Sequence, residues 1–347
     1  MGWLCVATKI ESVEDRSKGL AYAAFEEFGW SVTGCMYKVL AKVLANRLRC
    51  VISSVVSDTQ SAFVRGKQIL DGILIANEVV DEAKRMNKEL LLFKVDFEKA
   101  YDSVDLKYLD AVMVKMNFPT IWQKGLRQGE PLSPFLFLLA AEGLNVLMKA
   151  VVGAQLFTGY GVGGANDVRV THLQFTDDTL IIGEKSWPNV RSMTAVLLLF
   201  EEASGLKFNF HKSMLTCVNV SDSWLSEAAL VMNCPRGAIP FIYLGLPIGG
   251  DSRKISFWKP VIDRIVAHFT YWSNKLLSYG GRLEEGGLGV RKVGGAFNLS
   301  LLGKWCWRLV SEREGLWYSV LKARYGESRE RIKDRDRRGS QWWRAIC

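Results

Sequence analysis

The sequence lacks several features that would place it in familiar classes. Its 347 residues include seven cysteines, an odd number without any Cys-x-x-Cys pair, and only three histidines. This set predicts reduced intracellular thiols and suggests no zinc site. No internal repeat, low-complexity tract or linker rich in proline and serine interrupts the chain. With 49% hydrophobic residues, the chain is no disordered tail and is long enough for two or three subdomains with a real core.

Membrane and targeting segments are also missing from the sequence pattern. The apolar stretch from Phe135 to Ala141 is interrupted by Glu142, well short of the roughly 18 residues that a membrane span needs. The N-terminus has no signal-peptide plan, and Val6 stands where a myristoylation motif has Ser or Thr. We therefore expect an intracellular protein, in the nucleus or cytoplasm, that is not secreted and has no membrane partner.

Positive charge exceeds negative charge along the chain. The net charge of +9 and the isoelectric point near 9.1 fit a nucleic-acid partner, although many basic proteins bind none. Within residues 321–347, nine basic side chains face four acidic ones, which gives +5 of that total. Tryptophans at 305–343 leave two interpretations open. Together with arginines they would clamp single strands, but at such spacing they more often form a helical core.

Three acids stand at the ends of apolar runs. Asp177 and Asp178 fall at the tip of a predicted hairpin over 168–183, and Asp96 ends the predicted strand 90–96. Alone, each is ordinary, because aspartate is common in turns. Together they suit hard divalent cations, and a pair of such ions is the device that polymerases and nucleases use for phosphoryl transfer.

Five short motifs follow one another in a fixed order along the chain. They occupy residues 94–104, 125–135, 175–178, 204–213 and 243–247. This ordered set resembles the palm motifs, usually lettered A to E, of reverse transcriptases. The motif sequences are similar to those of LINE-type non-LTR retrotransposons of the kind common in plant genomes. Residues 36–48 and 60–66 resemble the fingers motifs of the same family. The resemblance covers roughly residues 34 to 282, and five motifs in order are far more specific than any one.

The resemblance implies an RNA-directed DNA polymerase that uses two Mg²⁺ ions. Asp96 and Asp177 are its expected direct metal ligands, and Asp178 completes the acidic cluster. One ion would make the primer 3′-hydroxyl a better nucleophile, and the other would hold the triphosphate as pyrophosphate departs. The implied partners are an RNA template, a DNA primer and deoxynucleoside triphosphates. The oligomeric state is left open.

Five further residues are expected beside the incoming nucleotide. Tyr101 stands where the family places an aromatic ring that clashes with a 2′-hydroxyl. Gln128 and Gly129 belong to the turn that packs against the templating base. Lys207 and Lys212 both stand near the position of the family's lysine at the pyrophosphate, and the sequence does not decide between them. Each has an ordinary alternative: a packed tyrosine, a polar turn and solvated lysines.

The last motif predicts a hairpin at residues 240–248. Tyr243, Leu244 and Gly245 resemble the primer grip, a hairpin whose backbone steers the primer terminus. A plain buried hairpin is the alternative.

The pattern of elements predicts an α+β fold. Helices are expected at 36–51, 69–86, 103–116, 134–150 and 187–203, and strands at 90–96, 168–183, 206–220 and 240–248. Helices followed by an antiparallel sheet, without alternating βαβ units, indicate a sheet backed by helices. The resemblance implies that this is a polymerase palm with fingers.

Four regions are expected, and the chain departs from the family between its first two palm motifs. They are an unmatched segment 1–33, fingers and palm 34–250, a truncated thumb-like region 251–285 and a helical, basic Trp/Arg-rich region 286–347. Only 29 positions separate Asp96 from Gly125, where the family carries a much longer segment, so we predict a deletion near 124–125.

Two hypotheses follow for the function of an internally deleted copy of an element. The first is an RNA-directed DNA polymerase. The second is a catalytically dead remnant that at most binds nucleic acid through its positive charge.

Overall fold

The computed structural model describes most of the chain. The described residues are 33–98, 103–116, 132–164, 168–251, 253–275, 296–328, 331–333, 339–340 and 343. Over these residues the helices are α1 (Thr33–Val51), α2 (Ile69–Met86), α3 (Leu106–Lys115), α4 (Ser133–Gly153), α5 (Trp187–Ser204), α6 (Asp222–Val231), α7 (Ile255–Lys275), α8 (Ala296–Ser311) and α9 (Leu316–Tyr325), with a 3-10 turn at Ile52–Ser54. The strands are β1 (Leu90–Val95), β2 (Tyr160–Val162), β3 (Val168–Val170), β4 (His172–Phe175), β5 (Asp178–Gly183), β6 (Met214–Val218), β7 (Phe241–Tyr243), β8 (Leu246–Ile248), β9 (Glu327–Ser328) and β10 (Arg331–Ile332).

These elements belong to two units, neither of which is one continuous stretch of chain. Unit 1 takes the described parts of Met1–Gly72, Glu89–Tyr160 and Val170–Gly237. Unit 2 takes those of Ile73–Lys88, Gly161–Arg169 and Ala238–Cys347.

Unit 1 is built on a four-stranded antiparallel sheet in the order β4-β5-β1-β6. Strand β1 lies inside this sheet, and Leu90 to Phe93 are all buried, which explains their unbroken apolar run. Successive residues of a strand face opposite sides. Leu91, Phe93 and Val95 join the main apolar core. Lys94 and Asp96 therefore face the other side of the sheet.

Helices α3, α4 and α5 supply the core on that first face. Helix α5 buries Val190, Met193, Leu197 and Phe200, a spacing that places one stripe of a helix against the sheet. It begins where Ser186 accepts a hydrogen bond from the Asn189 N–H, at 3.2 Å. It ends at Gly205, whose φ of 72° suits glycine. The prediction of a helix over 187–203, ended by Gly205, is confirmed.

Among the described helices, only α4 is long and apolar enough to cross a membrane, judged by length and composition alone. Its residues Leu136 to Ala141 are at most 1% exposed and belong to the apolar core. Glu142 follows them and accepts hydrogen bonds from the Ser57 N–H, at 3.0 Å, and from the Asn145 side chain, at 2.5 Å. The apolar character of α4 is accounted for by this core position.

The α+β prediction is confirmed, with local corrections. The antiparallel sheet is backed by helices, as the order of elements indicated. Within the predicted strand 206–220, only β6 is a regular strand, and a turn at 209–213 precedes it. Helix α6 was not predicted.

Unit 2 contains a buried polar network around Glu78 of α2. The Glu78 carboxylate accepts hydrogen bonds from Arg324, Tyr325 and Ser340, and none of its side chain is exposed. Arg324 also pairs with Asp81. The Tyr325 ring stacks on Trp343 with centroids 4.8 Å apart. Burial raises the pKa of Glu78, whereas the charge of Arg324 lowers it.

The described tryptophans of the C-terminal region mostly form a core. Trp305 and Trp317 are buried and flank the guanidinium of Arg308, 4.7 and 4.8 Å from the ring centroids. Arg308 is itself only 1% exposed. Trp307, at 71% exposure, is the exception among them. The helical-core interpretation therefore holds for Trp305 and Trp317.

Replacing Arg324 by methionine should strongly destabilise the protein. The change leaves the buried Glu78 carboxylate without its cation, at a typical cost of about 3–5 kcal/mol. The Glu78→Gln/Arg324→Met double variant, which removes both charges, should recover much of that loss. Urea unfolding of the three proteins measures it, and a single variant as stable as the wild type would contradict the prediction.

His172 of β4 is buried and neutral. Its Nε2 lies 3.1 Å from the Thr59 hydroxyl and its Nδ1 lies 3.0 Å from the Thr171 hydroxyl. Burial, with a smaller effect of Lys149, lowers the pKa of His172 from 6.5 to about 4. The unfolded chain therefore binds a proton at His172 in a pH range where the folded chain does not.

The free energy of unfolding should fall as the pH drops from 6.5 toward 4. His172 contributes fully above pH 6.5 and loses up to about 3 kcal/mol over that window, because protonation favours the unfolded state. A His172→Gln variant should lack this component. Unfolding titrations of both proteins at several pH values give the difference, and parallel curves would refute the assignment.

Candidate active site

Asp96 follows the last residue of β1, and its backbone is held on both sides. Its N–H donates to the Ser213 hydroxyl at 3.0 Å, and its C=O accepts from the Asn209 N–H at 2.8 Å. The Ser213 hydroxyl donates in turn to the Asn209 C=O, at 2.8 Å, and Ser213 is 1% exposed. The turn from Asn209 to Ser213 thus fixes the backbone position of Asp96.

The other two acids lie at the hairpin between β4 and β5. Thr176 and Asp177 form its two-residue turn, and Phe175 pairs with Asp178. Thr176 has a φ of 54°, a left-handed conformation that β-branched residues rarely adopt. The predicted hairpin with acids at its tip is confirmed as a structure.

Strand register brings the three acids to one end of the sheet. The pairing of β1 with β5 runs to Val95 opposite Thr179, so Asp96 and Asp178 come next on the two strands. Neighbouring side chains at such positions on antiparallel strands stand about 4.5–5.5 Å apart at Cβ. Asp178, rather than Asp177, is the residue across from Asp96, and Asp177 precedes it in the turn.

The charges of Asp177 and Asp96 act on the Asp178 carboxylate. Burial raises the pKa of Asp178 above its usual value, and the charges of Asp177 and Asp96 raise it further. Lys94, on the same face of β1, opposes the shift. Asp178 is half-buried, so its charge is incompletely solvated and lies beside two others of the same sign. A cation placed among them would relieve this repulsion.

The donor set suits magnesium in ligand type. Asp96, Asp177 and Asp178 offer oxygen ligands only, which hard divalent cations prefer. Within the described ranges, no group of three or more His, Cys, Asp or Glu side chains is arranged to hold a metal ion. The three acids suit Mg²⁺ in ligand type and in charge, but their side chains are not arranged as a metal site in this conformation.

Lys207 and Lys212 flank Asp96. Lys207 lies beside the chain that leaves β1, where its C=O accepts from the Glu98 N–H at 2.8 Å. The Lys212 N–H donates within the turn that holds Asp96, to Asn209. Both side chains are exposed. Their backbones lie beside the segment that carries Asp96, and the choice between the two lysines stays open.

Tyr101, Gln128 and Gly129 lie outside the described residues, as does the predicted deletion near 124–125. Their roles stay predictions.

The predicted primer-grip residues belong to unit 2 and form a hairpin. Strands β7 and β8 pair with Tyr243 opposite Leu246. Leu244 and Gly245 form the turn, with φ values of 50° and 81°. Positive φ at both positions is typical of tight hairpin turns and suits the glycine. Tyr243 is fully buried, so the hairpin is built as expected, whereas its role toward a primer stays a prediction.

Sequence reasoning missed the residues that hold the acids in place. Asn209 and Ser213 belong to the motif that carries Lys207 and Lys212, and the sequence did not indicate them as partners of Asp96, although Asn and Ser often stabilise turns. Residues 60–66 were expected only as a fingers motif, and the backbone of residues 59–61 proves to support the hairpin. In the structure they run beside β4, with the Ser61 N–H donating to the Gln174 C=O at 3.0 Å and the Gln174 N–H to the Thr59 C=O at 2.9 Å.

An Asp178→Asn variant should be more stable than the wild type at pH 7 in chelator. The raised pKa means that the charged carboxylate is disfavoured in the folded state, so stability falls as the pH rises through the folded pKa. We expect a rise in Tm of about 2 °C, modest because solvent screens a half-exposed group. Added Mg²⁺ should then raise the Tm of the wild type more than that of the variant.

The matched control is Asp110→Asn. Asp110 is a half-buried aspartate on α3, away from the acid cluster in sequence and on another element. Its replacement should shift neither Tm nor the magnesium response. Equal melting of wild type and Asp178→Asn would contradict the proposed repulsion.

Comparisons with known proteins give one family model and several relatives that are similar to parts of this chain. The model of the reverse transcriptase (RNA-dependent DNA polymerase) family matches residues 29–248. The chain is 28% identical over 205 residues to the transposon TX1 uncharacterized 149 kDa protein of Xenopus laevis, covering 51% of this chain and 15% of that protein. It is 39% identical over 70 residues to an uncharacterized mitochondrial protein of Arabidopsis thaliana, covering 19% of this chain and 57% of that protein.

One solved structure among the matches is telomerase from Candida albicans in complex with a fragment of telomeric RNA. Its TM-score is 0.38 at 11% identity, covering 82% of this chain and 47% of that chain. The chain thus spans 15%, 57% and 47% of these three proteins. Because the family model covers more than half of the sequence, including all three acids, the chain belongs to the reverse transcriptase family, as a domain of the non-LTR transposon kind.

Proposed function

We propose that this chain is an RNA-directed DNA polymerase that extends a DNA primer with deoxynucleotides on an RNA template. The observation that carries the proposal is the meeting of Asp96, Asp177 and Asp178 at one end of the sheet, inside the residues that match the family. Three carboxylates at one end of a sheet repel one another and cost stability, and phosphoryl transfer by bound metal ions is a chemistry that uses such acids.

Each acid has an assigned role in this proposal. Asp96 and Asp177 would be direct ligands of two Mg²⁺ ions, and Asp178 would complete the negative site. When bound there, magnesium supplies charge neutralisation at the transferred phosphate and lowers the pKa of the attacking hydroxyl. The protein's own contribution is positioning: the Asn209–Ser213 turn holds Asp96, and the hairpin pairing holds Asp177.

The substrate contacts follow from the family motifs. Tyr101 would exclude ribonucleotides, and Gln128 with Gly129 would pack against the base pair being formed. The exposed ammonium of Lys207 or Lys212 would meet the departing pyrophosphate. Tyr243, Leu244 and Gly245 would steer the primer end through their hairpin backbone. Such a protein would act in the nucleus or the cytoplasm.

A catalytically dead remnant is the competing proposal. The observation that favours it is the short interval of 29 positions between Asp96 and Gly125, which leaves out part of the family's palm. Such a remnant would keep at most a charge-driven affinity for nucleic acid, which salt weakens.

Primer extension on an RNA template with Mg²⁺ separates the two proposals. Asp96→Asn and Asp177→Asn should each lower incorporation by on the order of 100-fold or more, because even outer partners of metal ligands cost 10–100-fold when they are removed. Asp110→Asn should leave the rate unchanged, and chelator should stop the reaction. A folded wild type without incorporation above background would establish the remnant.

A further inference from the structure

We propose that Gln60 is a positioning residue for the turn formed by Thr176 and Asp177, here called the acidic turn. Gln60 is held in place by residues 57–67, here called the fingers segment. The inference deepens the proposed polymerase function and rests on it. The Gln60 side-chain oxygen accepts hydrogen bonds from backbone N–H groups and would act on the acids through the peptide of Thr176.

The Gln60 side chain reaches into the turn of the β4–β5 hairpin. Its Oε1 accepts a hydrogen bond from the Thr176 N–H at 3.3 Å and one from the Ala62 N–H at 3.0 Å. Gln60 is 1% exposed and Thr176 is 8% exposed, so water does not compete freely for either group. One buried oxygen therefore satisfies two backbone donors, one in the fingers segment and one in the turn.

The turn needs this acceptor because of its conformation. The left-handed φ of Thr176 is unfavourable for a β-branched residue and persists only where the surroundings enforce it. The Thr176 hydroxyl donates to the Phe175 C=O at 2.6 Å, which satisfies the side chain but not the N–H. Without Gln60, the Thr176 N–H would lose its hydrogen bond in a buried place. Asp177 is the next residue, so any rotation of this peptide moves its carboxylate.

Gln60 is itself held by groups outside the turn. The Lys67 ammonium donates to the Gln60 C=O at 3.1 Å and to the Ser57 C=O at 3.0 Å. Backbone hydrogen bonds of Thr59 and Ser61 to Gln174 fix the same segment along β4. The acceptor therefore stands on a fixed support, and the position of the acidic turn is set from the fingers segment as well as from its own hairpin.

Gln174 offers a matched control on the same hairpin. It is the same residue type, is equally buried at 1% exposure and lies two positions before Thr176. Its side-chain Oε1 and Nε2 have no hydrogen-bond partner in the described structure. Replacing it by methionine keeps the size and removes no hydrogen bond, whereas Gln60→Met leaves two N–H groups unpaired.

The first test is amide hydrogen exchange at single-residue resolution, which needs no activity. In the wild type, the Thr176 amide should be protected although it lies in a turn. In Gln60→Met it should exchange about fivefold faster or more, while Gln174→Met leaves it unchanged. An unprotected Thr176 amide in the wild type, or equal effects of the two variants, would overturn the proposal. The wild-type measurement decides it even if Gln60→Met does not fold.

The second test is the Mg²⁺ dependence of primer extension. Gln60→Met should raise the magnesium concentration for half-maximal activity by about 10–100-fold, as outer partners of metal ligands do, and Gln174→Met should not. An unchanged magnesium requirement in Gln60→Met would overturn the positioning role. If the wild type does not polymerise, the proposed function fails, while the exchange experiment still decides whether Gln60 fixes the turn.

Discussion

The antiparallel pairing of β1 with β5 is the constraint on which the rest of the site depends. It is this register that carries Asp96 and Asp178 to the same end of the sheet. A slip by one residue would exchange the two faces and send the acids into the apolar core. The core prevents that slip, because Leu91, Phe93 and Val95 are buried against the helices. Burial of apolar side chains on one face thus fixes charged ones on the other.

The acids are held by neighbours that carry no charge. Ser213 and Asn209 hold the peptide of Asp96, and Gln60 meets the peptide of Thr176. Hydroxyl and amide groups serve this purpose because they satisfy backbone groups without adding charge to a crowded site. The strain at Thr176 and the raised pKa of Asp178 are both local costs of such a site, of the kind that active sites commonly carry.

The helices and strands could be predicted well from the sequence, whereas the residues that hold the acids in place could not. The apolar run 90–95 and the helix ended by Gly205 carry local signals of strand and helix, and both were located to within a residue or two. The acids were found because their motifs occur in a fixed order. Gln60 and Ser213 could not be found in this way, because each acts on a residue more than 100 positions away and nothing in their own neighbourhood indicates that partner. The tryptophans were ambiguous for a similar reason, since burial of Trp305 depends on Trp317 and Arg308.

The network around Glu78 also has a consequence for copies of this chain that carry a frameshift or a premature stop. Arg324, Tyr325 and Ser340, which satisfy the Glu78 carboxylate, follow it by 246 to 262 positions. A frameshift or premature stop before Arg324 would therefore leave the buried Glu78 carboxylate without partners, in a helix that lies 246 positions earlier in the chain.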